Sequence, residues 1–141
     1  MVLVGYIHRV KNFRRKLTGP YSLPIQFGLV NSFEEAGYVT FIKFEYLTSS
    51  ATADRYVFVQ IRVGSASPLA INIESEFPQP ANTTYIYFIA LGYESKKVGN
   101  NIYLPLPRVF AENTSVMYYD AVNKQSGDQI RSLEFMTTTV L

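Results

Sequence analysis

The chain has 141 residues, of which 48% are hydrophobic and 17% charged, with a net charge of +2; this fits one globular domain large enough to bury a core. It contains no Cys and a single His, which excludes disulfides, thiolate metal sites and any centre that needs two imidazoles. No apolar run approaches the roughly 20 residues of a membrane-spanning helix. The opening Met-Val-Leu-Val-Gly-Tyr-Ile meets cations only after its apolar stretch, the reverse of a signal peptide, so no export is expected.

Aromatic residues make up 15% of the chain, all Tyr and Phe, a composition that suits strands. Residues 1–20 read as a basic arm with an extra edge strand as an alternative. Arg9, Lys11, Arg14, Arg15 and Lys16 fall before the first acid, Glu34, leaving eight of the 13 Lys and Arg against all 11 Asp and Glu in the remainder. Such an arm suits phosphates of a nucleic acid or another polyanion, an acidic partner surface, or simple solvation. Thr18-Gly19-Pro20 separates it from the body of the chain.

Residues 21–141 read as a run of strands. Segment 21–30 comes first, and Pro24, which has no N–H, puts it at a sheet edge or starts it after the proline. In 31–37, Ser32 and Glu35 form a minimal capping box worth one helical turn. The densest strand pattern spans 37–73. Within it Val57, Val59, Ile61 and Val63 share one face, and Tyr56, Phe58, Gln60 and Arg62 the other.

Segment 83–92 is apolar on both faces and is expected at the centre of a sheet or under a partner. Segment 102–110 points Ile102, Leu104 and Leu106 inward, while Pro105 and Pro107 confine it to an edge or bulge. The chain closes with strands at 115–122 and 130–138, Leu133 and Phe135 sharing a face. Turn signals every 8–12 residues argue an all-β antiparallel sandwich of about eight strands.

No motif names a reaction. The pairs Glu34/Glu35 and Glu74/Glu76 match neither a glycosidase pair nor a calcium loop, and no phosphate-cradling glycine loop is present. Catalytic residues, metals and cofactors are therefore not expected. The Asn-Thr-Thr and Asn-Thr-Ser acceptor patterns at Asn82 and Asn113 carry no consequence without export. Tyr85 and Tyr87, placed on the face opposite Ile86 and Phe88, join Tyr56, Phe58 and Arg62 as candidate interface residues, because exposed Tyr, Phe and Arg suit protein contacts.

A basic arm followed by about eight strands resembles the single jelly-roll coat proteins of viruses. That resemblance implies a jelly roll, a non-enzymatic structural protein located in the virion, and contacts with copies of itself and with other virion proteins. A lectin-like or receptor-binding sandwich, recognising a carbohydrate or a protein, is the alternative.

Overall fold

The computed structural model describes residues 10–30, 35–62, 70–112 and 114–140. Twelve strands appear in it: β1 (Val10–Leu17), β2 (Tyr21–Ser22), β3 (Ile25–Gly28), β4 (Gly37–Leu47), β5 (Tyr56–Arg62), β6 (Ala70–Glu74), β7 (Thr84–Ala90), β8 (Lys96–Val98), β9 (Asn101–Pro105), β10 (Phe110–Ala111), β11 (Val116–Val122) and β12 (Gln129–Val140). They form two sheets packed face to face, an all-β sandwich. Sheet A runs β1-β12-β4-β7-β9-β8, with β2 also on β12 and β10 on β4; sheet B runs β3-β11-β5-β6. The expected capping box at Ser32 and the strand expected in 2–10 lie almost entirely outside the described residues.

The pairing is nested. β1 lies against β12, β3 against β11, β4 against β7 and β5 against β6, all antiparallel. The chain is thus a long antiparallel ribbon, and the contacts β12·β4 and β11·β5 close that ribbon on itself.

Several local features have their origin in residue chemistry. Segment 21–30 is two strands rather than one. β2 pairs in sheet A, the ladder stops at Pro24, and β3 starts afresh at the edge of sheet B. In β12 the register shifts between Arg131 and Glu134. Ser132 sits there at φ 53°, and its N–H donates to the Thr18 carbonyl (2.9 Å). This bulge keeps Leu133 and Phe135 on one face, as expected, and that face is the inner one.

Beyond β7 the chain makes the β8–β9 hairpin and lays β9 beside β7 in parallel. β8 covers only Asn101–Tyr103 of β9. Pro105 therefore falls where β9 is itself the edge, a position that needs no donor.

The inward beats supply the core. Val57, Val59 and Ile61 of β5 meet Ile42 and Phe44 of β4, Ile89 of β7 and Met117 and Tyr119 of β11 in one buried cluster. Phe44 stacks on Tyr87 (4.9 Å between ring centroids) and meets Tyr119 edge-on (5.2 Å). Each such side chain, fully buried, is worth about 1.5–3 kcal/mol.

One end of the sandwich is closed by a buried polar network. Arg55 continues the inward beat of β5 and is 0% exposed. Its guanidinium grips Asp128 through Nε to Oδ2 and Nη2 to Oδ1, both 3.0 Å. Nη1 donates to the carbonyls of Ala51 and Ala53 (2.8 and 2.7 Å), and Nη2 also to Ser49 Oγ (3.1 Å). Asp128 accepts further from the Tyr46 hydroxyl (3.0 Å) and from the N–H groups of Ser49 and Gln125 (2.8 and 3.1 Å). Gly127, at φ 90°, supplies the left-handed turn that delivers Asp128, a conformation costly for other residues.

Beside it, Gln79 donates to the Tyr46 carbonyl (2.8 Å) and accepts from the Tyr87 hydroxyl (2.7 Å). Burial pushes the Tyr46 and Tyr87 phenols well above the usual range, Tyr46 with help from the Asp128 charge. For Asp128, burial favours the neutral acid, but the hydrogen bonds from Arg55, the two N–H groups and Tyr46 outweigh it and hold the carboxyl below its ordinary value.

Replacing Arg55 by Met leaves a buried carboxylate without its cation and is expected to cost about 3–5 kcal/mol in urea unfolding. Adding Asp128→Leu is not expected to recover that loss, because the carbonyls of Ala51 and Ala53 and the N–H groups of Ser49 and Gln125 then lack partners; a double variant as stable as the parent contradicts this account. Because the folded pKa of Asp128 is lowered, its contribution is present above the unfolded value of about 3.9 and is lost as pH falls through the folded value. Asp128→Asn is therefore expected to flatten the acid limb of a stability–pH profile.

Candidate interaction face

The outward beats of sheet B bring four apolar or aromatic side chains together. Register sets Tyr56 beside Val122, Phe58 between Asp120 and Glu74, and Gln60 between Tyr118 and Asn72. Val122 is 51% and Tyr56 37% exposed; Phe58 and Tyr118 are half-buried by one another, their ring centroids 6.3 Å apart. Arg62 lies over the Tyr118 ring at 5.0 Å, a cation–π contact of about 0.5–1 kcal/mol at an exposed site. Tyr56, Phe58, Glu74, Ser75 and Val122 line a shallow hollow of about 300 Å³ at one end of this face.

Several polar groups of the face are paired with one another. The Tyr118 hydroxyl donates to Asp120 Oδ2 (3.1 Å) and Lys124 approaches Asp120 Oδ1 (3.4 Å). Asn72 donates to Glu74 (2.7 Å). Partial burial and the Asp120 carboxylate raise the Tyr118 pKa, against a smaller opposite effect of Arg62. With Tyr, Phe and Arg grouped beside the Asp120–Lys124 pair, the face has the composition of a protein contact.

Tyr56, Phe58 and Arg62 therefore stand together on this outer face, where the β5 alternation puts them. Tyr85 and Tyr87 do not: they are buried, at 5% and 0% exposure, while Ile86 and Phe88 face outward on β7. The assignment of faces on that strand is corrected, because a strand apolar on both sides gives no polar beat to orient it. The pairing partners decide instead, Phe44 and Ile102 lying beside Tyr87 on the inner side. Tyr118 and Val122 complete the face. Of the neighbours Tyr118 and Tyr119, the first points out and the second is buried.

Within the basic segment, Val10–Leu17 forms an edge strand of sheet A. Lys11, Arg14, Arg15 and Lys16 belong to β1, which pairs with β12 throughout; Arg9 lies outside the described residues. Alternation divides the cluster. Arg14 meets Glu134 on the outer side of sheet A (3.1 Å), whereas Arg15 turns toward sheet B and donates to the Gly28 carbonyl (2.7 Å). Among the described residues no three His, Asp or Glu side chains are grouped to hold a metal ion, and no helix is long and apolar enough to cross a membrane.

Comparisons with protein-family models, curated proteins and solved structures gave no match.

The Tyr118 phenol is expected to titrate above an ordinary tyrosine, followed by the NMR shift of its ring carbon. Asp120→Asn is expected to bring it down, since that substitution removes the charge and weakens the acceptor. An unchanged Tyr118 titration in that variant contradicts the pairing described.

Proposed function

We propose that this protein is a non-enzymatic structural subunit that assembles with copies of itself, with the outer face of sheet B as a main contact. The observation that carries this reading is the cluster of Tyr56, Phe58, Tyr118, Val122 and Arg62 on one sheet face. Outward sheet faces that remain in water alternate to polar residues; a contiguous aromatic and aliphatic patch with the Asp120–Lys124 pair at its margin suits burial against another protein.

The strand order supports a finer reading. Setting aside the short β2, β8 and β10 and the added β9, the eight remaining strands pair first with last, second with seventh, third with sixth and fourth with fifth. That nesting suits the wrapping of a jelly roll, an architecture used by viral coat and lectin domains. Together with the interaction face it favours a virion component, whose task is to form repeated contacts.

The lectin-like reading has one observation of its own, the hollow beside Tyr56. Its lining of two rings, a carboxylate and a hydroxyl suits the apolar face and hydroxyls of a sugar.

Sedimentation velocity over a wide concentration range tests the proposal. The parent chain is expected to form a defined oligomer or larger assembly, and the double variant Tyr56→Ser/Phe58→Ser to remain monomeric with its fold retained by circular dichroism. A parent chain that stays monomeric throughout overturns the assembly reading, and saturable glycan binding lost on Tyr56→Ala would put the lectin-like reading in its place.

A further inference from the structure

The outer face of sheet A differs from that of sheet B in charge and in the arrangement of its rings. Register aligns Lys16, Glu134, Lys43, Phe88, Tyr103 and Lys96 in one row across β1, β12, β4, β7, β9 and β8. At about 4.8 Å per strand this row is about 24 Å long. Phe88 and Tyr103 stack at its centre (5.1 Å, 14° between planes), and Tyr93 meets Tyr103 edge-on at 5.7 Å.

A hollow lies on each side of the stack. Lys16, Lys43, Ser132 and Glu134 help line one of about 300 Å³; Tyr93, Tyr103, Lys96 and Glu94 help line the other, of about 390 Å³. Glu134 is already paired with Arg14, and Glu45, in the next row, with Arg131 (3.4 Å). Among the described residues Lys16, Lys43 and Lys96 have no carboxylate partner. The ammonium of Lys43 instead rests over the Phe88 ring at 5.5 Å. Glu94, at the rim, is the one acid of the track that no basic side chain pairs among the described residues.

We infer that this row is a binding track for single-stranded nucleic acid, with bases against the Phe88 and Tyr103 rings and phosphates on Lys16, Lys43 and Lys96. Flat π-faces with lysines at phosphate reach are the two requirements of sequence-tolerant single-strand binding. The uncompensated lysines supply the charge complementarity. Lys43 occupies the place over Phe88 that a base takes; on binding, its ammonium turns to a phosphate and leaves the ring face to the base. A duplex hides its base faces and loses the stacking part. The track lies on the face opposite the proposed assembly contact and does not depend on it.

Fluorescence anisotropy with labelled DNA and RNA oligonucleotides of about twelve nucleotides, within the span of one small domain, tests the inference on the full chain. Single strands are expected to bind more tightly than the duplex of equal length. The logarithm of the affinity should fall with the logarithm of salt concentration with a slope of about −2, as three lysine–phosphate contacts require. Phe88→Leu, which keeps apolar bulk but removes the ring, is expected to weaken binding about tenfold, the loss of roughly one stacked base. Lys16→Gln/Lys43→Gln/Lys96→Gln is expected to remove most of the salt dependence, and Lys11→Gln to change little.

The Tyr56→Ser/Phe58→Ser variant is expected to bind the oligonucleotide as the parent does, so loss of assembly and loss of binding are read separately. Absence of binding at low salt overturns the inference. So does equal affinity for duplex and single strand with no response to Phe88→Leu, which is charge attraction alone. Binding to phosphatidylserine vesicles but not to oligonucleotides overturns it in favour of a lipid surface.

Discussion

The bidentate contact of Arg55 with Asp128 ties together parts of the chain that the sheets leave separate. Arg55 stands just before β5 in sheet B, and Asp128 just before β12 in sheet A. Between them the guanidinium gathers the carbonyls of the 48–54 crossing, and the carboxylate gathers the N–H groups of Ser49 and of Gln125 in the β11–β12 turn. Half-buried turns at the end of the sandwich would otherwise leave these groups short of partners, and an unsatisfied buried polar group costs about 1–3 kcal/mol. The ion pair thus serves less as a Coulombic spring than as a supply of donors and acceptors where the backbone has none. That is why its geometry is spent mostly on main-chain atoms.

With that end fixed, the sandwich presents two outer faces of different character. The aromatic residues of sheet B lie beside the Asp120–Lys124 pair, with Arg62 over the Tyr118 ring and Glu74 accepting from Asn72. Those of sheet A sit in a row with lysines that have no carboxylate partner among the described residues. Proximity to the shared core explains why both faces carry rings at all: β4, β5, β7 and β11 are central strands, and large side chains on neighbouring strands shield the backbone on whichever side they stand. What distinguishes the faces is the row of lysines beside the sheet A rings, and this divides assembly from polyanion binding in the functional reading.

Alternation makes much of this legible from the sequence. It locates the inward Val57, Val59 and Ile61, the outward Tyr56, Phe58 and Arg62, and the inward Leu133 and Phe135. It fails on β7, whose residues are apolar on both sides, and so assigns Tyr85 and Tyr87 to the surface. It also passes over Arg55, although an arginine on the same beat as three core valines and isoleucines is itself a signal of a buried, paired charge. The partner is not legible, since Asp128 lies 73 residues away and only the pairing of strands across the two sheets brings it near. The row on sheet A is hidden for the same reason: Lys16, Lys43, Phe88, Tyr103 and Lys96 come from five different strands.

The margins of the two sheets limit how copies can meet. On sheet A the outermost strands are β1, with four cations among its eight residues, and β8, three exposed residues of which two are lysines. On sheet B they are the four-residue β3 and five-residue β6. Short or cationic margins resist strand-by-strand addition of another chain. Growth by continuing a sheet from molecule to molecule, the route to fibres, is thereby discouraged, whereas contacts between faces are governed by the angle at which two surfaces meet. Such contacts close on themselves when that angle divides a full turn. In the proposed assembly, contacts through faces rather than strand edges favour finite objects over open-ended ones.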